Sequence, residues 1–504
     1  MHSRERQWLA CENDFAHGIG PELTKEGRAI SERYDLVVVG AGPAGEKGAA
    51  QAAYFGKRVA VVDRLPHVGG APVSSTGIPT KTLRETALYV TGFRNRDVYG
   101  LSLELDPELV IKRLVARKSE VARTMARAVD ENLKRHGIRY IQGEARLGPD
   151  RTVHVAADGG ELALQAEILL VASGSRPYRP SAVPFADPDV HDSEEVLEMR
   201  RIPETMVVVG GGPVGCEYAS IFTALGARVT LLDAAERILP FMDHEISRLL
   251  AETFERMGMR VMLGSGLATI ERAGGRLEVR MKSGEVILPE QVLFAAGRSG
   301  NTEGLGLEEL GVELDARGRV KVDETFRTSA PGIYAAGDVI GPPALASVSM
   351  EQGRVAVCHA FDIPFKETVD PLPPFAVYSI PEAAMVGLTE GSAEDREADH
   401  EVGRGWFAEN AKATISGFTE GLVKLVFRRH DRALLGVHIL GDSASELIHT
   451  GQAVIHAGGT IDRFIHTTFC APTRSEAFKY AAYDGLQRLS GRSIGTVVEH
   501  HRDH

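Results

Sequence analysis

The sequence predicts an α/β protein with two Rossmann-like dinucleotide-binding domains and a smaller C-terminal α+β domain. Three observations predict it. A strand–glycine turn–helix–strand phrase, YDLVVVGAGPAGEKGAAQAAYFGKRVAVVDR, opens at Tyr34. The phrase returns at 206–233 as MVVVGGGPVGCEYASIFTALGARVTLLD, and in both copies first glycine and terminal acid stand 23 positions apart. Past Pro371 the character changes: Pro-rich PLPPFAVYSIPE leads into strand-like LVKLVF and LLGVHIL and the amphipathic ASELIHTGQAVIHAG.

Length and composition agree with several domains. At 504 residues the chain exceeds what one core usually holds. Hydrophobic residues at 43% and charged residues at 25% are those of an ordinary soluble protein. A formal charge of −12, with no basic stripe of interleaved aromatics, argues against a nucleic acid partner. No apolar run approaches the roughly 20 residues of a bilayer span, so no membrane partner is expected. The opening MHSRERQWLACENDF lacks the apolar centre of a secretory signal, and a cytoplasmic location is expected. Cys11, Cys216, Cys358 and Cys470 form no close pair. They read as reduced structural thiols, without a redox disulfide or a zinc knuckle. The tail ending EHHRDH has nothing to order it, so no metal site is expected.

Along the chain, residues 1–33 are polar and aperiodic and read as a loose N-terminal arm. The first βαβ unit follows. Gly40 and Gly210 allow the tight turn, Gly42 and Gly212 let backbone approach a pyrophosphate, and Gly45 and Gly215 permit close helix–strand packing. The helix N-terminus then offers N–H groups and partial positive charge to phosphate. Asp63 and Asp233 stand where a carboxylate accepts hydrogen bonds from an adenosine ribose. At Asp233 the charge also opposes a 2′-phosphate, which favours NAD(H) over NADP(H). Three further strands run into small-residue turns: ILLVASGSRP, VLFAAGR and GIYAAGDV.

The motifs GAGPAG, VGG…IPTKTLRE, GSRP, GGGPVGCEYAS, AAGRSGNT, IYAAGDVIG, SIPEAAMVG and PTRSEAF occur in that order. On them the chain resembles the pyridine nucleotide–disulfide oxidoreductases over about residues 34–490, and most of all their soluble transhydrogenase branch. The resemblance implies an FAD-binding domain at 34–177 and 301–371 and an NAD(P)-binding domain at 178–300. It also implies an interface domain at 372–490 that makes a homodimer, with 491–504 as a tail. FAD would be held by Gly40, Gly42, Gly45, Asp63, Gly70, Gly174, Asp338 and Ala346, and NAD(P) by Gly210, Gly212, Gly215, Asp233 and Gly297. Lys81 of IPTK matches a lysine beside flavin N5, and Glu217 of GCEYA matches the glutamate that pairs with it. Chemistry supports the pair: a reduced flavin gains negative charge that an ammonium stabilises, and a buried ammonium needs a carboxylate.

The same comparison shows what is missing. The family's disulfide enzymes carry two cysteines, with four residues between them, in the stretch from the GG to the IP–Lys. Here that stretch is GGAPVSSTGIPTK, and Pro72 and Gly77 take the two places. Their acid–base pair, a His before a Pro and a Glu four residues after it, becomes Ala471 and Glu476 in FCAPTRSEAF. Without dithiol or base, electrons reaching FAD must leave directly from it. The expected activity is hydride transfer between NAD(P)H and NAD(P)+. An NAD(P)H:quinone or diaphorase-type reductase is the alternative, and a non-catalytic flavoprotein a third reading.

Overall fold

The computed structural model describes residues 31–92, 100, 107–157, 160–199 and 201–491. The arm expected at 1–33 and the tail expected at 491–504 therefore lie almost wholly outside the described residues. The described chain forms two compact units. The first gathers the residues up to Pro79, Ser119–Arg176 and Arg298–Val369; the second gathers Thr80–Lys118, Pro177–Gly297 and the residues from Asp370 onward.

The first unit is built on a seven-stranded sheet. Its strand Ser31–Val39 starts three residues before the expected Tyr34 and pairs in parallel with Val59–Asp63 and with Gly160–Val171. Leu36, Val37 and Val38 are fully buried, as a strand covered on both faces requires. Arg139–Gln142 continues the parallel edge. Thr152–Ala157 and Glu144–Gly148 extend the other side antiparallel, and Ile333–Ala335 pairs in parallel with the far end of Gly160–Val171. The helices Pro43–Tyr54 and Ala346–Ala360 cross at small residues. A Cβ on Gly353 would lie 2.2 Å from the Ala44 carbonyl oxygen, so only glycine allows that approach.

The second unit repeats the theme. Thr205–Val209, Arg228–Leu232, Arg260–Met262, Gln291–Phe294 and Val190–His191 form a parallel sheet, with the helix Pro213–Ala224 after the first of them. Beyond Asp370 comes a five-stranded antiparallel sheet: Phe375–Val377, Ala383–Gly387, Leu434–Leu440, Leu422–Arg428 and His400–Trp406. Glu476–Leu489 lies directly on its last strand, where Cβ atoms on Gly403 and Gly405 would each meet a helix carbonyl oxygen at 2.1 Å.

Two features differ from the boundaries read in the sequence. The expected domains 178–300 and 372–490 share one core, in which Met206, Tyr218 and Ile246 pack with Val377, Leu422 and Leu440. Residues 80–118, read as part of the first domain, belong to the second unit. The reason is packing: Leu88 clusters with Ala224 and Ile380, and buried Lys118 donates to the Leu197 carbonyl at 3.0 Å. Among the described residues no helix is long and apolar enough to cross a membrane.

Candidate active site

In the first unit the glycine loop is closed by its own acid. Asp63 ends a strand, and its two oxygens accept from the N–H groups of Ala41 at 2.7 Å and Leu65 at 2.9 Å. Burial pushes its carboxyl above the usual range, against the pull of those two N–H groups. Gly40 has φ +111°, and Gly45 packs on it, since a Cβ there would lie 1.9 Å from the Gly40 oxygen. The third glycine thus clears the loop's own carbonyl first, and the strand second. Gly70 crosses above, its missing Cβ 2.8 Å from Gly42 Cα. No side chain caps the helix that starts after Gly42.

Farther along the same unit, Ser175 donates to Asp338 at 3.0 Å, next to Gly174 at φ +73°. Ser349, in the helix that begins at Ala346, reaches the other Asp338 oxygen at 3.4 Å. A Cβ on Gly337 would stand 2.9 Å from Ala44 Cβ, so this cluster adjoins the glycine-loop helix. The structure therefore brings Gly40, Gly42, Gly45, Asp63, Gly70, Gly174, Asp338 and Ala346 into one unit. An open, uncapped helix start with glycine backbone around it fits a dinucleotide pyrophosphate.

The second repeat copies the first down to its hydrogen bonds. Asp233 accepts from the Gly211 N–H on one oxygen and from Ala235 N–H at 2.7 Å on the other. Gly210 has φ +117°, a Cβ on Gly215 would lie 1.8 Å from its oxygen, and one on Gly212 would meet nothing within 4 Å. That helix too has no side-chain cap. Gly297, at φ +116°, follows the neighbouring strand and accepts from Tyr178 N–H at 3.0 Å. Arg237 is turned onto its own loop, donating to the Pro240 oxygen at 2.6 Å.

Lys81 and Glu217 also meet in the second unit. Lys81 comes from the helix Ile78–Val90, and its Nζ donates to Glu217 Oε2 at 2.7 Å. Glu217 lies in the helix Pro213–Ala224, and its Oε1 accepts from the Tyr378 N–H at 3.0 Å. The Lys81 ammonium stands 4.8 Å from the Tyr378 ring centre, a cation–π distance. Glu217 is buried, whereas the Lys81 side chain keeps 32% of its surface exposed. That corrects the expectation of a buried ammonium: the Lys81 side chain is only partly covered.

At the two positions where the resemblance would place cysteines, Pro72 and Gly77 meet through backbone. Pro72 lies in the short helix Gly70–Ser74, and Gly77 packs against it, a Cβ at 77 falling 2.5 Å from Pro72 Cα. Glu476 accepts from Thr473 N–H at 3.1 Å, so it serves its own turn and is not left idle beside Ala471. Cys216, Cys358 and Cys470 are free thiols, and Cys11 lies outside the described residues. Cys216 is fully buried, and burial pushes its thiol far above the usual range.

Sequence reasoning missed three neighbours of the pair: Tyr378, Arg84 and Glu382. Their signal was present, because Arg84 follows Lys81 by three residues, one helical turn, and Glu382 closes the SIPE phrase after Tyr378.

The chain is similar to known proteins along most of its length. Residues 34–353 match the pyridine nucleotide-disulphide oxidoreductase family model, and residues 373–482 match that family's dimerisation domain. A soluble pyridine nucleotide transhydrogenase of Mycobacterium tuberculosis (strain ATCC 25177 / H37Ra) is 39% identical over 458 residues, covering 90% of this chain and 98% of that one. The enzyme of the same name from Pseudomonas putida (strain W619) is 37% identical over 465 residues, covering 90% and 99%. Among solved structures, the HOCl-induced flavoprotein disulfide reductase RclA of Escherichia coli superposes with a TM-score of 0.80 at 26% identity, covering 89% of this chain and 99% of that one. LpdA of Mycobacterium tuberculosis gives 0.80 at 29%, covering 90% and 99%. The chain belongs to the pyridine nucleotide-disulphide oxidoreductase family, enzymes that work with FAD and nicotinamide nucleotides and pair through their last domain.

Proposed function

We propose that the protein moves hydride between NAD(P)H and NAD(P)+ through FAD alone, without a redox disulfide, in the cytoplasm. One observation carries the reading. Lys81 and Glu217 stand assembled at 2.7 Å, while the two dithiol positions hold Pro72 and Gly77 in backbone contact. The relatives named soluble pyridine nucleotide transhydrogenase support it.

FAD, when bound, would supply a two-electron hydride acceptor and donor between nicotinamides. Gly40, Gly42, Gly45, Asp63, Gly70, Gly174, Asp338 and Ala346 would hold it. Gly210, Gly212, Gly215, Asp233 and Gly297 would hold the nicotinamide nucleotide. Lys81 would offer a positive charge to the negative charge that grows during reduction, and Glu217, at 2.7 Å, would hold that ammonium in place. Asp233 favours NAD(H) by repelling a 2′-phosphate. Pro72, Gly77 and Ala471 stand where the family's disulfide enzymes carry their two thiols and histidine, so donor and acceptor would use the same nucleotide site in turn.

Turnover of NADPH with thio-NAD+ before and after thiol alkylation tests the reading. Unchanged activity is expected. Loss of turnover with FAD and nucleotide still bound would make one of the four cysteines a redox group and overturn it.

A further inference from the structure

The helix that carries Lys81 brings a second cation to the same wall. Arg84, one turn on, is 3% exposed. Its Nε donates to the Ser379 carbonyl oxygen at 3.0 Å, and its Nη2 pairs with Glu382 at 3.2 Å. Glu382 is also buried, and its other oxygen accepts from the Ser445 N–H at 3.0 Å and the Ser445 hydroxyl at 2.8 Å. Arg84 Nη1 completes the set on Glu85.

Tyr378 and Ser379 are consecutive, and this places the two cations in series. The Tyr378 N–H holds Glu217 Oε1, the Ser379 carbonyl is held by Arg84, and Glu217 Oε2 holds Lys81. The next N–H, of Ile380, donates to Ser220 at 3.1 Å, so successive backbone groups of one segment are fixed from two helices. Burying a guanidinium and a carboxylate costs several kcal/mol of hydration per ion, and replacing such a pair by apolar residues is often no loss of stability. Stability alone therefore gives weak reason for this pair.

We propose that Arg84 and Glu382 are positioning residues for hydride transfer. They fix the Tyr378 N–H, which orients Glu217, which in turn aims the Lys81 ammonium. The inference rests on the reading of Lys81 and Glu217 as the reacting pair. A displacement of this kind, away from the chemistry, is worth up to about 10²-fold in rate.

The test is anaerobic reduction of the FAD-loaded enzyme by NADH, followed by flavin absorbance. The variants are Arg84→Met/Glu382→Met, which leaves neither charge buried alone, Arg84→Lys, Glu217→Gln and Lys81→Met. At saturating NADH the double variant should reduce about 10- to 100-fold more slowly, with the NADH dissociation constant within about twofold. Arg84→Lys should recover part of the rate, since an ammonium reaches one of the two acceptors. In the Glu217→Gln background the loss should nearly vanish, because Arg84 acts through that carboxylate. An unchanged rate, or an equal loss with and without Glu217, overturns the inference. If Lys81→Met also reduces at the wild-type rate, the reading of the reacting pair fails as well. If Lys81→Met is slow while the Arg84 variants are fast, only the positioning role fails. Should the double variant not hold FAD, Arg84→Lys carries the same comparison alone.

Discussion

Gly77 rests on Pro72 so closely that a side chain at 77 would put its Cβ 2.5 Å from Pro72 Cα and 2.6 Å from the Pro72 carbonyl oxygen. A disulfide needs its Cβ atoms about 3.5–4.5 Å apart and its Cα atoms about 4.4–6.8 Å apart. The two positions have closed onto each other beyond that spacing. Backbone movement would be needed to seat two sulfurs there.

Pro72→Cys/Gly77→Cys should therefore purify with about two extra titratable thiols per chain. It should gain no lipoamide or glutathione reductase activity, since Ala471 supplies no base. Thiol titration of the folded, yellow protein checks the first point. Quantitative formation of a bridge would show that the loop opens readily.

Asp233 braces its own loop, a role separable by substitution from the proposed repulsion of a 2′-phosphate. Its oxygens brace the N–H groups of Gly211 and Ala235, so Asp233→Ala would loosen the loop for either nucleotide. Asp233→Asn removes the charge and keeps an acceptor. The ratio of kcat/KM for NADPH over NADH should rise about tenfold, the scale of one relieved like-charge contact. An unchanged ratio would mean that the carboxylate does not face the ribose.

Lys424 is 1% exposed and pairs with Asp243 at 2.9 Å and Glu245 at 3.1 Å, with Glu390 alongside. Lys424→Met would leave Asp243 buried without its ammonium, while Glu245 keeps Arg404, and should cost about 3–5 kcal/mol. Urea unfolding of the FAD-loaded protein measures it. A loss under about 1 kcal/mol would show that the carboxylates relax into water.

The same cluster sets an acid limit. His438 is fully buried, donates from Nε2 to the Leu388 carbonyl at 2.8 Å, and faces Asp243, Lys424 and Glu390. Burial first, and Lys424 second, lower its pKa from the ordinary 6.5, although Asp243 and Glu390 pull the other way. Its neutral form is the native one, so its contribution is present above 6.5 and is lost as pH falls toward its folded value. Burial opposes the charges of Asp243 and Glu245, but His438 and Lys424 at Asp243 and Arg404 and Lys424 at Glu245 lower both pKa values below the ordinary 3.8 and 4.5. Their contributions fail only in stronger acid. His438→Gln should flatten the fall in melting temperature between about pH 7 and 5 and leave the later loss in place. Identical profiles for variant and wild type would contradict this.

What the sequence made legible is what backbone geometry dictates locally. Gly40 and Gly210, at φ +111° and +117°, occupy a conformation that side chains rarely adopt, and both announced the tight strand-to-helix turns. The matched acids were visible too, though not the two N–H groups each one holds. The companions of Lys81 were harder to see. Arg84 meets Ser379 across 295 positions of sequence, and periodicity cannot report a contact of that span. For the same reason the sequence did not show that Leu88 and Lys118, in the stretch read into the first domain, are fixed by partners far along the chain. Lys81 itself was expected to be buried, because the motif names its partner but not its solvent exposure.

Hydride passing to and from FAD with no dithiol between is the central claim, and anaerobic stopped-flow tests it most directly. The FAD-loaded protein is reduced with one equivalent of NADPH, then mixed separately with thio-NAD+, a quinone, lipoamide and oxidised glutathione. The account predicts full flavin reduction without a thiolate charge-transfer band, followed by rapid reoxidation by thio-NAD+ and none by lipoamide or glutathione. Reoxidation by a disulfide, or by the quinone with thio-NAD+ inert, would contradict it.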